Sequence, residues 1–101
     1  MNSQKVAEIL IEIGSVKFSF KNYFTLTSGL KSPVYVDCRK IISFVNKRNI
    51  IMQEAKNYIN KNKLNFDFLA GGETAGIPYA AILAESMQKS MIYIRKKPKG
   101  F

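Results

Sequence analysis

The spacing of apolar residues changes several times along the chain, and each change marks a predicted element. The chain opens with a helical spacing that puts four apolar residues on one face: Val6, Ile9, Leu10 and Ile13. Ser3 is the predicted N-cap of this helix, and Gly14 stands where a helix commonly ends. A second helical pattern follows Asn46, its predicted cap, and is expected to fray over 60–63. Its apolar face carries Ile50, Ile51, Ala55, Tyr58 and Ile59.

Between these helices apolar and polar residues alternate, which is the spacing of strands. One short strand is predicted from Val16, Phe18 and Phe20. The runs 24–26 and 34–38 are predicted to pair as the two arms of a small antiparallel hairpin, because the turn residues of 27–33 separate them. From composition alone, an ordinary hairpin with a polar loop is the favoured interpretation.

The last third of the chain predicts a strand, a glycine-rich turn, a helix, a second strand and a basic segment. An apolar run over 66–70 predicts a buried strand, which Gly71 and Gly72 are expected to end. Residues 77–88 carry a helical pattern, and 91–94 form a second apolar run. Two apolar strands joined by a helix predict a parallel βαβ unit with a right-handed crossover.

Together these elements predict an α/β fold that is incomplete. A parallel sheet needs cover on both faces and neighbours for its strands, and the second strand here is followed only by basic residues. We therefore expect residues 1–101 to be the N-terminal part of one domain. Its parts are a hood-like hairpin over about 16–39 and a βαβ unit over about 66–95.

Composition and charge narrow the classes of function. The chain has sixteen Lys and Arg residues and seven Asp and Glu residues. The resulting net charge of +9 predicts an anionic partner such as nucleic acid, an acidic membrane or a polyphosphate. The chain has no histidine, which excludes the commonest general base and zinc ligand. The single cysteine, Cys38, excludes an internal disulfide framework and predicts a reducing cytoplasm. No apolar run is long enough for a transmembrane helix.

Both strand ends of the βαβ unit carry groups that suit phosphate. Ligands of such units bind at the carboxyl ends of the strands. There the chain has the glycine-rich residues 71–76, which open a helix, and the segment 95–99, with four cations in five residues. By pattern alone, 71–76 is equally well a plain strand-to-helix turn, and 95–99 is more often a solvated tail.

Three segments, in this order, resemble the N-terminal half of orotate phosphoribosyltransferase, a type I phosphoribosyltransferase family. Residues 24–39 are similar to its hairpin over the pyrimidine, 70–78 to its pyrophosphate loop, and 93–100 to the root of its mobile catalytic loop. The resemblance implies an incomplete type I phosphoribosyltransferase fold. It also implies a reaction of pyrimidine (UMP) biosynthesis: orotate and phosphoribosyl pyrophosphate (PRPP) give orotidine 5′-monophosphate and pyrophosphate, with Mg²⁺. The resemblance also implies a homodimer in which the mobile loop of one subunit reaches into the partner's site.

The resemblance further implies a role for individual residues. Three backbone N–H groups face the pyrophosphate of PRPP: those of Thr74, Ala75 and Gly76. Three cations neutralise that pyrophosphate, namely Arg95, Lys96 and Lys99, of which Lys96 and Lys99 are also the implied catalytic residues. The orotate-binding set is Tyr35 and Val36 along the ring, with Lys31 serving the carboxylate or lying on the surface. Since the family's transition state is a loosely bonded ribosyl cation, no protein nucleophile or protein metal ligand is implied.

The chain also departs from the family pattern. Thr27 stands where many members carry Lys, and Phe101 where many carry His. Glu73 is expected to turn away from the phosphates or to reach a Mg²⁺-bound water. The family's pyrophosphate loop often holds a cis non-proline peptide bond, which by alignment is Glu73–Thr74. The family's pair of adjacent carboxylates, which grips the ribose phosphate, has no counterpart among the seven acidic residues. We therefore expect the 101-residue chain alone to be inactive.

Two other function classes remain open at this point. A non-catalytic remnant of an enzyme would keep the fold signals and lose the chemistry. A small basic nucleic-acid-binding module would use the net charge and exposed aromatics such as Tyr23 and Tyr35. The aromatic residues, however, fall on alternating positions typical of a core, so nucleic acid is not an expected partner, and neither is a membrane.

Overall fold

The computed structural model describes residues 2–99. The helices are α1 (Ser3–Glu12), a 3₁₀ helix (Cys38–Ser43), α2 (Val45–Lys61) and α3 (Gly76–Met87). The strands are β1 (Val16–Phe18), β2 (Phe24–Thr25), β3 (Lys31–Ser32), β4 (Val34–Val36), β5 (Phe68–Gly72) and β6 (Ser90–Ile94). The chain forms two compact units, Asn2–Ile51 and the residues from Met52 onward. No helix within the described range is long and apolar enough to cross a membrane.

Helix α1 is confirmed, with one correction at its start. The N-cap is Asn2 and not Ser3, because the Asn2 side chain accepts a hydrogen bond of 3.0 Å from the backbone N–H of Lys5. Asn and Ser cap helices about equally well, so the sequence alone does not choose between these neighbours. Gly14 follows the helix with a φ of +79°, as a glycine at this position should, and Ile9 is buried on the apolar face.

The strands of the first unit pair differently from the prediction. Strand β2 pairs with β3 and β1 pairs with β4, both antiparallel, so the predicted pairing of 24–26 with 34–38 is wrong. The turn closes early, with 2.8 Å between the backbone N of Leu26 and the carbonyl O of Leu30. Residues 31–32 are therefore drawn into the inner pair. The alternating residues of β4 are left to pair with the other alternating run, β1.

The start of α2 differs from the prediction, whereas its end lies where it was predicted. The backbone N–H of Arg48 donates to the carbonyl of Phe44 at 2.7 Å, so the helix begins at Val45 and the predicted cap, Asn46, lies in its first turn. The last helical residue is Lys61, which lies within the range 60–63 predicted for the end of the helix. Lys63 adopts a φ of +50°, and hydrogen bonds of 3.1–3.2 Å close the last turn.

The second unit contains the predicted parallel pair of strands with a connecting helix. Strands β5 and β6 are parallel, with Gly71 opposite Tyr93 and Gly72 opposite Ile94. The two glycines continue the strand, and the expectation that they end it is wrong. Helix α3 packs on the strands there, and only a residue without a side chain fits at Gly71.

Candidate functional site

The two segments predicted to bind phosphate lie at one edge of the parallel pair. Because Gly72 is opposite Ile94, β5 and β6 end side by side. Residues 73–75 lead from β5 into the N-terminus of α3, and the basic segment 95–99 follows β6. This is the edge at which α/β units commonly bind ligands, since the carboxyl ends of parallel strands meet there.

The N-terminus of α3 presents free backbone donors. Ala75 is the N-cap residue and makes no side-chain capping bond, while the N–H of Ile77 donates to the carbonyl of Thr74 at 3.2 Å. Among residues 2–99, the N–H groups of Ala75 and Gly76 donate no hydrogen bond. Donors at the positive end of a helix favour an anion, and phosphate is the commonest anion bound in this way.

The loop between β5 and α3 contains the cis peptide bond Glu73–Thr74, which confirms the expectation taken from the resemblance. Glu73 also makes a contact that sequence reasoning missed. Its carboxylate Oε2 accepts a hydrogen bond of 3.1 Å from the backbone N–H of Lys96, and its own N–H donates to the carbonyl of Ile94 at 2.9 Å. The parallel register alone could have suggested this partner, because it brings the two strand ends together.

The three predicted cations all lie on the exposed segment after β6: Arg95, Lys96 and Lys99. Lys96 is joined to the loop between β5 and α3, because its backbone N–H donates to the Glu73 carboxylate at 3.1 Å. Gly100, the last residue of the third matching segment, and Phe101, which replaces a histidine of the family, lie outside the described residues.

The residues predicted to bind orotate lie on the strands of the first unit. Tyr35, in β4, is opposite Lys17, and its ring is 5.7 Å from that of Phe24, centroid to centroid. Val36 is the next residue, so its side chain points to the opposite face of the strand. A flat ligand on one face of the β1–β4 pair therefore contacts the side chain of only one of these residues, Tyr35 or Val36. It contacts the other residue through its backbone.

Lys31 lines an open cavity of about 410 Å³ together with Lys21, Asn22 and Tyr23. Two ammonium groups and two neutral polar groups at one concave surface suit a carboxylate or a phosphate. Sequence reasoning missed Lys21 because it assigned the strand pairs wrongly. Strand β2 pairs with β3, which contains Lys31, and Lys21 lies shortly before β2 in the sequence.

Arg39 is a second missed residue of this unit. It binds both carboxylate oxygens of Asp37, with its Nε 2.8 Å from Oδ1 and its Nη2 2.9 Å from Oδ2. The Arg39 guanidinium holds the pKa of the Asp37 carboxyl below its ordinary value. The pKa of Arg39 is raised, first by its hydrogen bond to Asp37 and to a smaller extent by Tyr35. Arg39 is thus bound to the residue that directly follows β4, the strand that carries Tyr35.

No group of three or more His, Cys, Asp or Glu side chains within residues 2–99 could hold a metal ion. The Glu73 carboxylate, the acidic group of the phosphate loop, is already bonded to Lys96. These residues therefore do not fit a Mg²⁺ ion held by the protein alone.

The fold matches part of two solved structures. The chain matches the solved structure of Leishmania donovani UMP synthase with a TM-score of 0.77 and 28% identity, over 97% of this chain and 21% of that one. It matches orotate phosphoribosyltransferase from Aeropyrum pernix with a TM-score of 0.76 and 27% identity, over 94% of this chain and 52% of that one. No family model matches the chain.

Curated relatives narrow the family. The chain is 50% identical over 97 residues to orotate phosphoribosyltransferase of Ruegeria sp. strain TM1040, covering 94% of this chain and 43% of the relative. It is 49% identical over 100 residues to orotate phosphoribosyltransferase of Rhizobium rhizogenes strain K84, covering 97% and 43%. The chain is therefore homologous to the N-terminal half of orotate phosphoribosyltransferases, which confirms the resemblance seen in the three segments. It spans less than half the length of these relatives.

Proposed function

We propose that this chain supplies the N-terminal half of the site in which orotate and PRPP give orotidine 5′-monophosphate and pyrophosphate, a step of UMP biosynthesis. The observation that carries the proposal is a shared location. The free N–H groups of Ala75 and Gly76 and the basic segment 95–99 lie at the same edge of the sheet. About half of the residues are identical to those of proteins with this name, which points to this reaction among those that use a diphosphate.

The second unit supplies the groups for the diphosphate. As the bond between the ribose and the pyrophosphate breaks, negative charge grows on the departing pyrophosphate. The backbone donors of 74–76 and the cations Arg95, Lys96 and Lys99 stabilise that charge, which is where an enzyme gains most from fixed donors. Lys96 and Lys99 are the proposed catalytic residues. The chemistry needs alignment and charge stabilisation, and a chain without histidine can provide both.

The first unit supplies the groups for orotate. Lys31 and Lys21 line a cavity in which two ammonium groups can bind a carboxylate. The ring of Tyr35 offers an apolar face for a flat pyrimidine, and Val36 contributes through its backbone. Arg39 is bound to both carboxylate oxygens of Asp37, which directly follows the strand that carries Tyr35.

Three further assignments belong to this proposal. Mg²⁺ would be held by the phosphates of PRPP and water, as is common for this ion, and not by a cage of protein side chains. The working protein is a homodimer whose basic segment serves the partner's site, which is supported by the similarity of 93–100 to the family's mobile loop. Its compartment is the cytoplasm, which a chain with one cysteine suits.

Binding of inorganic pyrophosphate, measured by titration calorimetry, tests the proposal. Lys96→Ala should weaken binding about tenfold, because one charge-assisted contact is worth roughly 1.5 kcal/mol or more. Lys97→Ala is the matched control, since it removes the same charge from the same segment at a residue without an assigned role. Equal losses in the two variants, or no binding by the unaltered protein, would contradict the proposed site.

A further inference from the structure

Glu73 joins the loop 73–76 to the end of β6 and to the basic segment 95–99 through two separate hydrogen bonds. Its N–H donates to the carbonyl of Ile94 at 2.9 Å, and its carboxylate accepts from the backbone N–H of Lys96 at 3.1 Å. The two partners stand on either side of Arg95. One acidic residue therefore fixes the backbone where the basic segment leaves β6.

The choice of partner separates this contact from an ordinary surface ion pair. The carboxylate binds the main chain of Lys96 and not its ammonium group, so the Lys96 side chain does not enter this contact. A negative charge beside a phosphate site costs anion affinity by like-charge repulsion. A neutral residue would avoid that cost, unless the carboxylate has a compensating role in holding the segment.

We propose that Glu73 is a positioning residue, whose carboxylate holds Arg95 and Lys96 over the loop 73–76 so that they meet the diphosphate together with the donors of α3. This inference rests on the proposed function. Two opposite effects follow from it. The side-chain charge weakens anion binding, whereas the hydrogen bond to Lys96 strengthens it by fixing the cations in place.

Two substitutions separate these effects. Glu73→Ala and Glu73→Gln remove the same charge, but only Gln keeps an oxygen that can accept from the Lys96 N–H. The dissociation constant for inorganic pyrophosphate should be about five- to tenfold higher for Glu73→Ala than for Glu73→Gln, as loss of one hydrogen bond allows. Glu73→Gln should bind at least as tightly as the unaltered protein. The same exchanges at Glu85, near the other end of α3, are the control and should give equal constants.

Amide hydrogen exchange of Lys96, followed by NMR without ligand, is the second measurement. Exchange should be about three- to tenfold faster in Glu73→Ala than in Glu73→Gln. Equal pyrophosphate constants for the two variants would overturn the positioning role, and equal exchange rates would overturn the hydrogen bond itself. Loss of pyrophosphate binding in every protein tested would overturn the proposed function, while the exchange rates would still report on the hydrogen bond.

Discussion

Gly71 lies where strand β5 packs against helix α3, and its missing side chain is a requirement of that packing. A Cβ at this position would be 2.6 Å from the carbonyl oxygen of Gly76 and 2.9 Å from the Cβ of Ala80. Neither neighbour is the end of a flexible side chain. We predict that Gly71→Ala lowers the free energy of unfolding by about 1–3 kcal/mol, the usual cost of overpacking, measured by urea denaturation.

The neighbouring glycine provides the control for this prediction. A Cβ at Gly72 would meet nothing within 4 Å, although Gly72 lies in the same strand. Gly72→Ala should leave the free energy of unfolding unchanged or raise it by up to about 1 kcal/mol, because alanine has less conformational freedom in the unfolded chain. If both variants lose the same free energy, close packing at Gly71 is not the cause.

The Asp37–Arg39 ion pair makes a prediction about pH. Arg39→Gln should raise the pKa of Asp37 toward its ordinary value of 3.8, measured by an NMR titration of the carboxyl carbon. Since the folded pKa lies below the unfolded one, the pair stabilises the fold above pH 3.8 and loses this effect as the pH falls through the lowered pKa. The stability difference between the two proteins should therefore be full at neutral pH and shrink in acid.

A substitution of Lys40 provides a comparison for the effect of Arg39 on the pKa of Asp37. Its charge also lowers the pKa of Asp37, but it contributes less than the hydrogen bonds and the charge of Arg39. Lys40→Gln should therefore move the pKa of Asp37 in the same direction by a smaller amount. A larger shift in Lys40→Gln than in Arg39→Gln would contradict the assignment of Arg39 as the main partner.

A lysine in the left-handed conformation lies two residues after helix α2, which is an avoidable cost. Lys63 has a φ of +50°, and Leu64 N–H closes the turn on the carbonyl of Ile59 at 3.1 Å. Glycine takes this conformation without a clash. We predict that Lys63→Gly raises the free energy of unfolding by about 0.5–1 kcal/mol in urea denaturation. Lys61→Gly, at the last residue of the helix itself, should instead lower it, by up to about 1 kcal/mol.

The sequence predicted elements better than it predicted their partners. The helices follow from a spacing that only local geometry determines, and α1 and α3 begin and end within about one residue of the prediction. Strand pairing depends on where the turn closes, and the sequence 27–33 offers several turn residues without choosing among them. The early closure at Leu26 and Leu30 therefore exchanged the partners of β2 and β4.

The candidate site was likewise predicted where its residues are close in sequence and missed where they are distant in sequence. The segments 71–76 and 95–99 were predicted because a phosphate loop and a cluster of cations are both local in sequence. The contact between Glu73 and Lys96 joins residues 23 positions apart, and it depends on the register of β5 and β6. Lys21 was missed for a similar reason, because only the cavity that it shares with Lys31 shows its relevance.

At the scale of the whole molecule, the length of the protein that the gene produces distinguishes two hypotheses. The chain is either part of a complete enzyme or a non-catalytic remnant of one. An intact mass near 11.5 kDa for the native product would favour the remnant, since these residues lack the family's paired carboxylates. A substantially larger mass would favour a complete enzyme of which this chain is the N-terminal half. The substitutions at Lys96 and Glu73 would then be made in that longer protein.

The 101 residues by themselves should bind pyrophosphate and yet form no orotidine 5′-monophosphate. They carry the proposed groups for the diphosphate, but no two of their seven acidic residues are adjacent, so they lack the motif that grips the ribose phosphate in the family. The measurement is product formation from orotate and PRPP with Mg²⁺, with the Ruegeria orotate phosphoribosyltransferase assayed in parallel. Product formed by the 101-residue polypeptide would show that alignment and charge stabilisation by this half alone are sufficient for the reaction.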